Sequence, residues 1–201
     1  MKHLLEQIVQ SKELHVKWLN TLSYLENAGA RKIAACEHPT LVKEEMLKHA
    51  AEEFRHAHYL KKQMRRVSPS FLEDYALKHI LGGYSSFHYL SRLDVLTARF
   101  LFAHVPRHSI REYAYLLVTY AIELRARALY PLYEEILRKV GSKVTVKSIL
   151  LEEEEHLHEM RQGLEKMPSG MSYAQHVCSI ENLLYNDWLL AIEIDVAFSI
   201  N

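Results

Sequence analysis

Apolar residues recur at steps of three and four over long stretches of this chain, and most glycines and prolines fall between those stretches. That period belongs to amphipathic helices joined by short connections. A first segment runs roughly from His3 to Cys36, with Leu19, Leu22, Gly29 and Ile33 at core spacing. His38-Pro39-Thr40 breaks it, and with Thr40 as N-cap a second helix extends to about Arg66, where Ser68-Pro69-Ser70 ends it. These two segments predict an antiparallel hairpin. Between Phe71 and Pro106, Gly82-Gly83 splits the chain into a short helix and an aromatic one ending near Val105, together able to serve as a crossover. A third core helix starts near His108 and is expected to kink or break at Pro131, whose ring clashes with the carbonyl four residues earlier. Gly141-Ser142 closes it. A fourth covers about Lys143 to Met167, and after Pro168-Ser169-Gly170 a fifth long helix runs from Ser172 to about Phe198. The expected fold is all-α: a four-helix bundle, a long helical crossover between its second and third helices, and an additional C-terminal helix.

The informative residues are the polar ones that interrupt the apolar seams. In the fourth helix the seam is Val146, Leu150, Leu157, Met160 and Leu164; Glu153 fills its one gap and His156 sits beside it. In the second, Val42, Met46, Ala57, Leu60 and Met64 frame Glu53, with His56 alongside. Glu26 falls within the seam of the first segment, and Glu123 lies among Leu116, Tyr120 and Leu124 of the third. Each core helix therefore turns one glutamate inward.

Two of these glutamates belong to a pattern that occurs twice, 100 residues apart: Glu-Glu-x-x-His-x-His at Glu52 to His58 and again at Glu152 to His158. Residues three apart share a helix face, so Glu53 with His56, and Glu153 with His156, can each aim a carboxylate and an imidazole at one point. His58 and His158 lie about 200° further round the helix and cannot join that point. The overlapping pair Glu155 and His158 is off the seam for the same reason.

Four ionised carboxylates inside a bundle would repel one another, and their desolvation costs several kcal/mol per ion unless a counter-charge is present. Two divalent cations would supply it, with the two imidazoles completing the shell. Oxygen and nitrogen donors without thiolate suit iron, manganese or a mixed pair better than structural zinc, and iron is the default. A metal-free interior would need protonated carboxyls or pairing with Arg125 and Arg127, both within four residues of Glu123. Tyr120, His49 and Tyr59 each lie one turn from a candidate ligand, placed either to support it or simply to pack. The four core helices hold no aspartate, so another group must orient each imidazole. Tyr84, Phe87, Tyr89, Phe100 and Phe102 of the crossover can line a substrate pocket, although packing alone accounts for them.

Composition bounds the remainder. A chain of 201 residues, 49% hydrophobic and 25% charged, fits one domain spanning 1–201 with a sizeable core. Zero formal net charge gives no general attraction to nucleic acid or anionic membrane, and the only dense basic cluster is Lys61, Lys62, Arg65 and Arg66 at a helix end. Cys36 and Cys178 form no Cys-x-x-Cys, no apolar run approaches membrane-spanning length, and a cytoplasmic location is expected.

One glutamate from each of two helices, Glu26 and Glu123, plus Glu-x-x-His from each of the other two, resembles the ferritin-like di-iron carboxylate superfamily. The resemblance implies a ferritin-like fold, Glu26 and Glu123 as terminal ligands, Glu53 and Glu153 as bridges, and His56 and His156 as one nitrogen ligand for each of two iron ions. It also implies dioxygen and an external electron donor as partners, with a substrate the motif does not specify. Classical ferritins usually lack the second Glu-x-x-His, whereas bacterioferritins, rubrerythrins and di-iron oxygenases carry both; rubredoxin cysteines are missing here. The aromatic crossover and fifth helix are more similar to a substrate-modifying oxidase or monooxygenase. The alternatives are a ferroxidase or iron-handling protein, and a helical interaction module with a structural metal; assembly as a homo-oligomer is compatible with each. Glu26-Asn27-Ala28-Gly29-Ala30-Arg31-Lys32 and Ile122-Glu123-Leu124-Arg125-Ala126-Arg127 are similar to the tRNA 2-methylthio-isopentenyladenosine hydroxylase group. A tRNA partner would need a basic surface, for which neutral charge and one basic cluster do not argue.

Overall fold

Residues 1–69 and 71–200 are described by the computed structural model, and among them there are seven α-helices, two short 3-10 turns and no strand. Helices α1 (Lys2–Gln10) and α2 (Lys12–Cys36) replace the single first segment expected from periodicity. Ser11 separates them: its backbone is extended, and its hydroxyl accepts from the Leu14 amide, so a serine N-cap interrupts a helix that the apolar pattern alone would continue. Helix α3 (Glu44–Val67) starts later than a Thr40 cap would give. The His38 ring nitrogen takes the amides of Thr40 and Leu41 instead, turning those residues into a connection. Val42 is accordingly exposed outside the helix and not on its seam. Pro69 follows the end of α3 as expected, while Ser70 lies outside the described residues.

The crossover consists of a 3-10 turn at Leu77–His79 and then α4 (Gly83–Phe102). Helix α5 (Ile110–Lys139) runs unbroken through Pro131, so of the expected kink or break the break does not occur. Leu129, Tyr130, Tyr133, Glu134, Ile136 and Leu137 are buried on both sides of the proline, so packing holds the helical path despite one lost backbone bond. Helix α6 (Lys147–Glu165) and helix α7 (Gly170–Ile200) follow. Gly170 has to be glycine: a Cβ there would lie 2.1 Å from the Leu164 carbonyl oxygen, where the chain doubles back between the two helices.

Cross-helix contacts fix the directions. Ser23 bonds to the Ala57 carbonyl and Ile33 packs near Met46 and Ala50, so α3 runs antiparallel to α2. Tyr115 packs near Met160 while Glu134 reaches Val146, so α6 runs antiparallel to α5. Arg111 bonds to the Glu37 carbonyl at one end and Tyr133 to His15 at the other, which sets α5 antiparallel to α2. Helix α4 runs alongside α2 in the same direction, through Tyr24 with Phe87 and Lys32 with Asp94, carrying the chain back to the start of α5. Helix α7 lies antiparallel on α4, with the Trp188 indole donating to Ser86 and rings of Trp18, Trp188 and Tyr89 stacked in series.

The basic cluster is largely engaged with its own chain. Lys61 donates to Asn20 and the Leu72 carbonyl, Arg65 covers the Phe71 ring and Arg66 donates to the Lys143 carbonyl. These contacts pin the connections at the end of α3. A further anchor is the buried carboxylate of Glu134, which accepts from the Val146 amide at 2.8 Å, from Thr145 Oγ1 at 3.0 Å and from Arg138 Nε at 3.2 Å. Glu134→Ala would strand a buried N–H, so chemical denaturation should show a loss of about 2 kcal/mol, with Glu134→Gln losing clearly less.

Candidate metal centre

The carboxylates singled out in the four core helices meet in the bundle interior. Glu53, Glu123 and Glu153 are buried, and Glu26 is half-buried with its side chain on an internal cavity. Two groups of donor atoms result, each within 4.8 Å internally: Glu26, Glu53, His56 and Glu153 in one, and His49, Glu53, Glu123 and His156 in the other. Glu53 belongs to both. All six residues expected from the seams are brought together, and His49 joins them with its Nε2 3.2 Å from Glu123 and 3.4 Å from Glu53. His49 was expected at most as a supporting neighbour. Its place at i−4 from Glu53, on the same face, is the signal that periodicity held.

The two imidazoles are braced from behind by residues that sequence reasoning left unused. His56 Nε2 lies 2.7 Å from Glu152, and His156 Nε2 lies 2.8 Å from Glu52. The first glutamate of each Glu-Glu-x-x-His copy thus orients the histidine of the other copy. Glu152 is itself held by a two-pronged bond from Arg55 at 2.9 and 2.6 Å. With Nε2 occupied, Nδ1 of each ring turns inward: His56 Nδ1 is 3.1 Å from Glu153, and His156 Nδ1 is 3.5 Å from Glu53.

Tyr130 donates to Glu26, a contact not foreseen in the sequence, seven residues beyond Glu123 on α5. Tyr59 and Tyr120 serve elsewhere. The Tyr59 hydroxyl donates to the Thr145 carbonyl, and Tyr120 packs on the small cluster of Ile33, Met46, Ala50, Tyr115 and Met160. Exposed His58 and His158 stand away from the centre. Arg125 and Arg127, the cations a metal-free interior would have required, are paired with Glu181 and Glu154. Among the described residues, no lysine or arginine forms an ion pair with Glu26, Glu53, Glu123 or Glu153.

Without a cation the cluster must hold protons. Burial, followed by the neighbouring carboxylates, pushes Glu26 and Glu153 well above the usual carboxylate range; burial also raises Glu123, to about 8, against a lowering contact with Glu153. Burial acts on Glu53 in the same direction, but the close approach of the His49 and His56 rings outweighs it and holds Glu53 well below its ordinary value. Burial opposes the charge on His56, yet the adjacent Glu153 and Glu53 carboxylates raise it to about 12. Burial, then repulsion from His49, lowers His156.

The donor set fits one or two metal ions. Glu53 Oε1, Glu123 Oε2, Glu153 Oε1, His56 Nδ1 and His156 Nδ1 are buried atoms without hydrogen-bond partners, all converging on the same space. Orphaned polar atoms are costly in a protein interior and rarely occur in such concentration. Oxygen and imidazole donors of this kind accept iron, manganese or zinc. No protein-family model, curated protein or solved structure matches the chain.

Three raised carboxyls and a raised His56, set against the lowered His15 and His156, shape the pH response. A raised carboxyl stabilises the fold fully below its ordinary value of 4.5 and loses that contribution as pH rises through its folded value, which for Glu123 is about 8. Denaturation of metal-free protein should therefore show stability falling between about pH 5 and pH 8, with the lowered His15 and His156 opposing the fall up to their ordinary value of 6.5 and the raised His56 adding to it above that. Metal binding should release protons from Glu26, Glu123, Glu153 and His56, measurable by calorimetry in buffers of different ionisation enthalpy. Replacing Glu52 or Glu152 by Gln should weaken metal affinity by about 10- to 100-fold without unfolding the protein, as read by competition with a chelator.

Proposed function

We propose that this protein is a non-haem di-iron oxidoreductase that activates dioxygen, acting as an oxidase or monooxygenase on a small, largely apolar substrate. The observation that carries this reading is the reciprocal brace: Glu52 and Glu152 fix His156 and His56 so that two unpartnered nitrogens face four carboxylates from four helices, three of them buried and Glu26 half-buried. The order of directions, with α2 and α3 antiparallel, α4 crossing back, and α5 and α6 antiparallel, supports a ferritin-like bundle with a crossover. In that reading Glu26 and Glu123 are terminal ligands, Glu53 and Glu153 bridge, and His56 and His156 each give a nitrogen. His49 would add a third nitrogen on the side of Glu123.

Two ferrous ions held there would supply the two electrons that, with two protons, reduce one oxygen atom of dioxygen to water while the other enters a substrate, an external donor then restoring them. The chain's own part is to orient the donors, hold protons when the ions are absent and exclude water. The cavity beside the carboxylates favours a substrate-modifying enzyme over iron handling. Its volume is about 390 Å³, and its walls are mainly apolar, with Leu22, Leu25, Ile33, Leu90, Val118 and Ile122 among them. Such a wall suits an organic substrate and offers poor passage to hydrated ferrous ions. Lys61, Arg65 and Arg66 are held by their own chain, so a tRNA substrate gains no support from that patch.

Ferrous iron added aerobically to metal-free protein should saturate near two ions per chain, counted after desalting, with near-ultraviolet absorption from carboxylate-bound ferric iron. Glu53→Ala, which removes the shared donor, should abolish both readouts, whereas Glu155→Ala on the exposed side of α6 should leave them unchanged. Uptake of tens of ions per chain would instead identify an iron-storing ferroxidase.

A further inference from the structure

The cavity is more specific than an apolar hole. It extends from Glu26, Glu53, Glu123 and Glu153 past Gly29 and Ile33 to Cys36 and Ala114. Those last two residues also border an open outer pocket lined by Phe102, Arg107, Ile110 and Arg111. Inner cavity and outer pocket therefore share a wall at one end of the bundle, and the outer one carries two guanidinium groups.

The other charges along this route are already matched. Lys32 is paired with Asp94, and Arg125 with Glu181, its guanidinium also covering the Tyr185 ring. Glu112, beside Arg111 in sequence, is paired with Lys43. Arg111 makes only a 3.4 Å bond to the Glu37 backbone carbonyl. Positive charge in the outer pocket is thus left for an external anion, while the cations lining the inner cavity, Lys32 and Arg125, are already paired.

Gly29 is the second, independent observation. It lies in the middle of α2, where glycine costs roughly 0.5–1 kcal/mol relative to alanine. Its backbone needs no left-handed conformation, and a Cβ there would meet nothing within 4 Å. Neither local geometry nor close packing requires glycine, but the cavity does: a side chain here would occupy it.

We propose that the cavity takes an apolar carboxylic acid, its carboxylate on Arg107 and Arg111 and its hydrocarbon end directed at Glu26 and Glu53. This rests on the substrate-modifying reading above and names the substrate class. At roughly 30 Å³ per water-sized volume, 390 Å³ gives room for about thirteen such volumes, the scale of a medium-chain acid. Charge-assisted bidentate pairing is how guanidinium groups select carboxylates.

The test titrates decanoate and decanol into metal-free protein and follows tryptophan emission, which reports on the cavity through Trp188 in its lining. Decanoate should bind about tenfold tighter than decanol, and the double variant Arg107→Gln/Arg111→Gln should remove that advantage while leaving decanol binding intact. Gly29→Leu, which fills the cavity with a better helix former, should lose both ligands and keep the wild-type iron count. Equal affinity for acid and alcohol, undiminished decanoate binding in the surface double variant, or wild-type binding by folded Gly29→Leu would each overturn the proposal. Because this titration contains no metal, decanoate binding by a protein that retains no iron would sink the di-iron reading and uphold the ligand class.

Discussion

Four carboxylates from four helices converge in the interior with, among the described residues, no lysine or arginine paired to them, and the rest of the structure follows from that constraint. Like charges at this separation cannot all persist in a medium that excludes water. Protons or metal cations must therefore occupy the centre, and the bundle is stable only as a container for one or the other. Protons satisfy it incompletely: they leave carboxylate oxygens and imidazole nitrogens without partners, and they hold Glu53 ionised beside carboxyls forced to stay neutral. Two divalent ions would satisfy the same atoms at once, which is why the metal reading explains more of the geometry than burial does.

The brace around the histidines shows how the fold keeps those atoms aimed. Glu52 and Glu152 cross between α3 and α6, so each helix positions the ligand of the other and neither half of the site can form alone. The symmetry is only approximate. Arg55 clamps Glu152, whereas the corresponding position in the second copy is Glu155, which pairs outward with Lys48. His49 likewise joins only the side of Glu123. The two halves therefore differ in local charge and in nitrogen count, which would give two bound ions different surroundings.

Legibility in the sequence followed the range of each interaction. Glu26, Glu53, Glu123 and Glu153 were visible because each interrupts an apolar seam within its own helix, and His56 and His156 because they stand three residues from a seam glutamate. Glu52 and Glu152 stood in the same pattern, but their partners lie on another helix, and no periodicity within one segment reports that. Tyr130 was hidden for the same reason. Local backbone chemistry was misjudged where a side chain overrode the pattern: Ser11 capped a new helix, the His38 ring displaced the Thr40 cap, and packing carried α5 through Pro131. The apolar cavity was least legible of all, since it is defined by side chains that are absent.

That absence is itself informative about selection for function over stability. A mid-helix glycine and an unfilled interior volume are both destabilising, and single substitutions at Gly29 could relieve both. The cost sits beside the carboxylates, with one end of the cavity at Cys36 and Ala114, which also border the pocket of Arg107 and Arg111, and not at a random place in the core. Elsewhere the interior is closely filled, with Trp18, Tyr133, Leu60, Met64 and Leu117 excluded from solvent. A fold that excludes solvent from so many of its large side chains, yet leaves a cavity where these donors converge, fits a site that something has to enter. The walls beside the donors are mainly apolar, so the cavity that a substrate would need also lowers the local dielectric and strengthens the electrostatics of the centre.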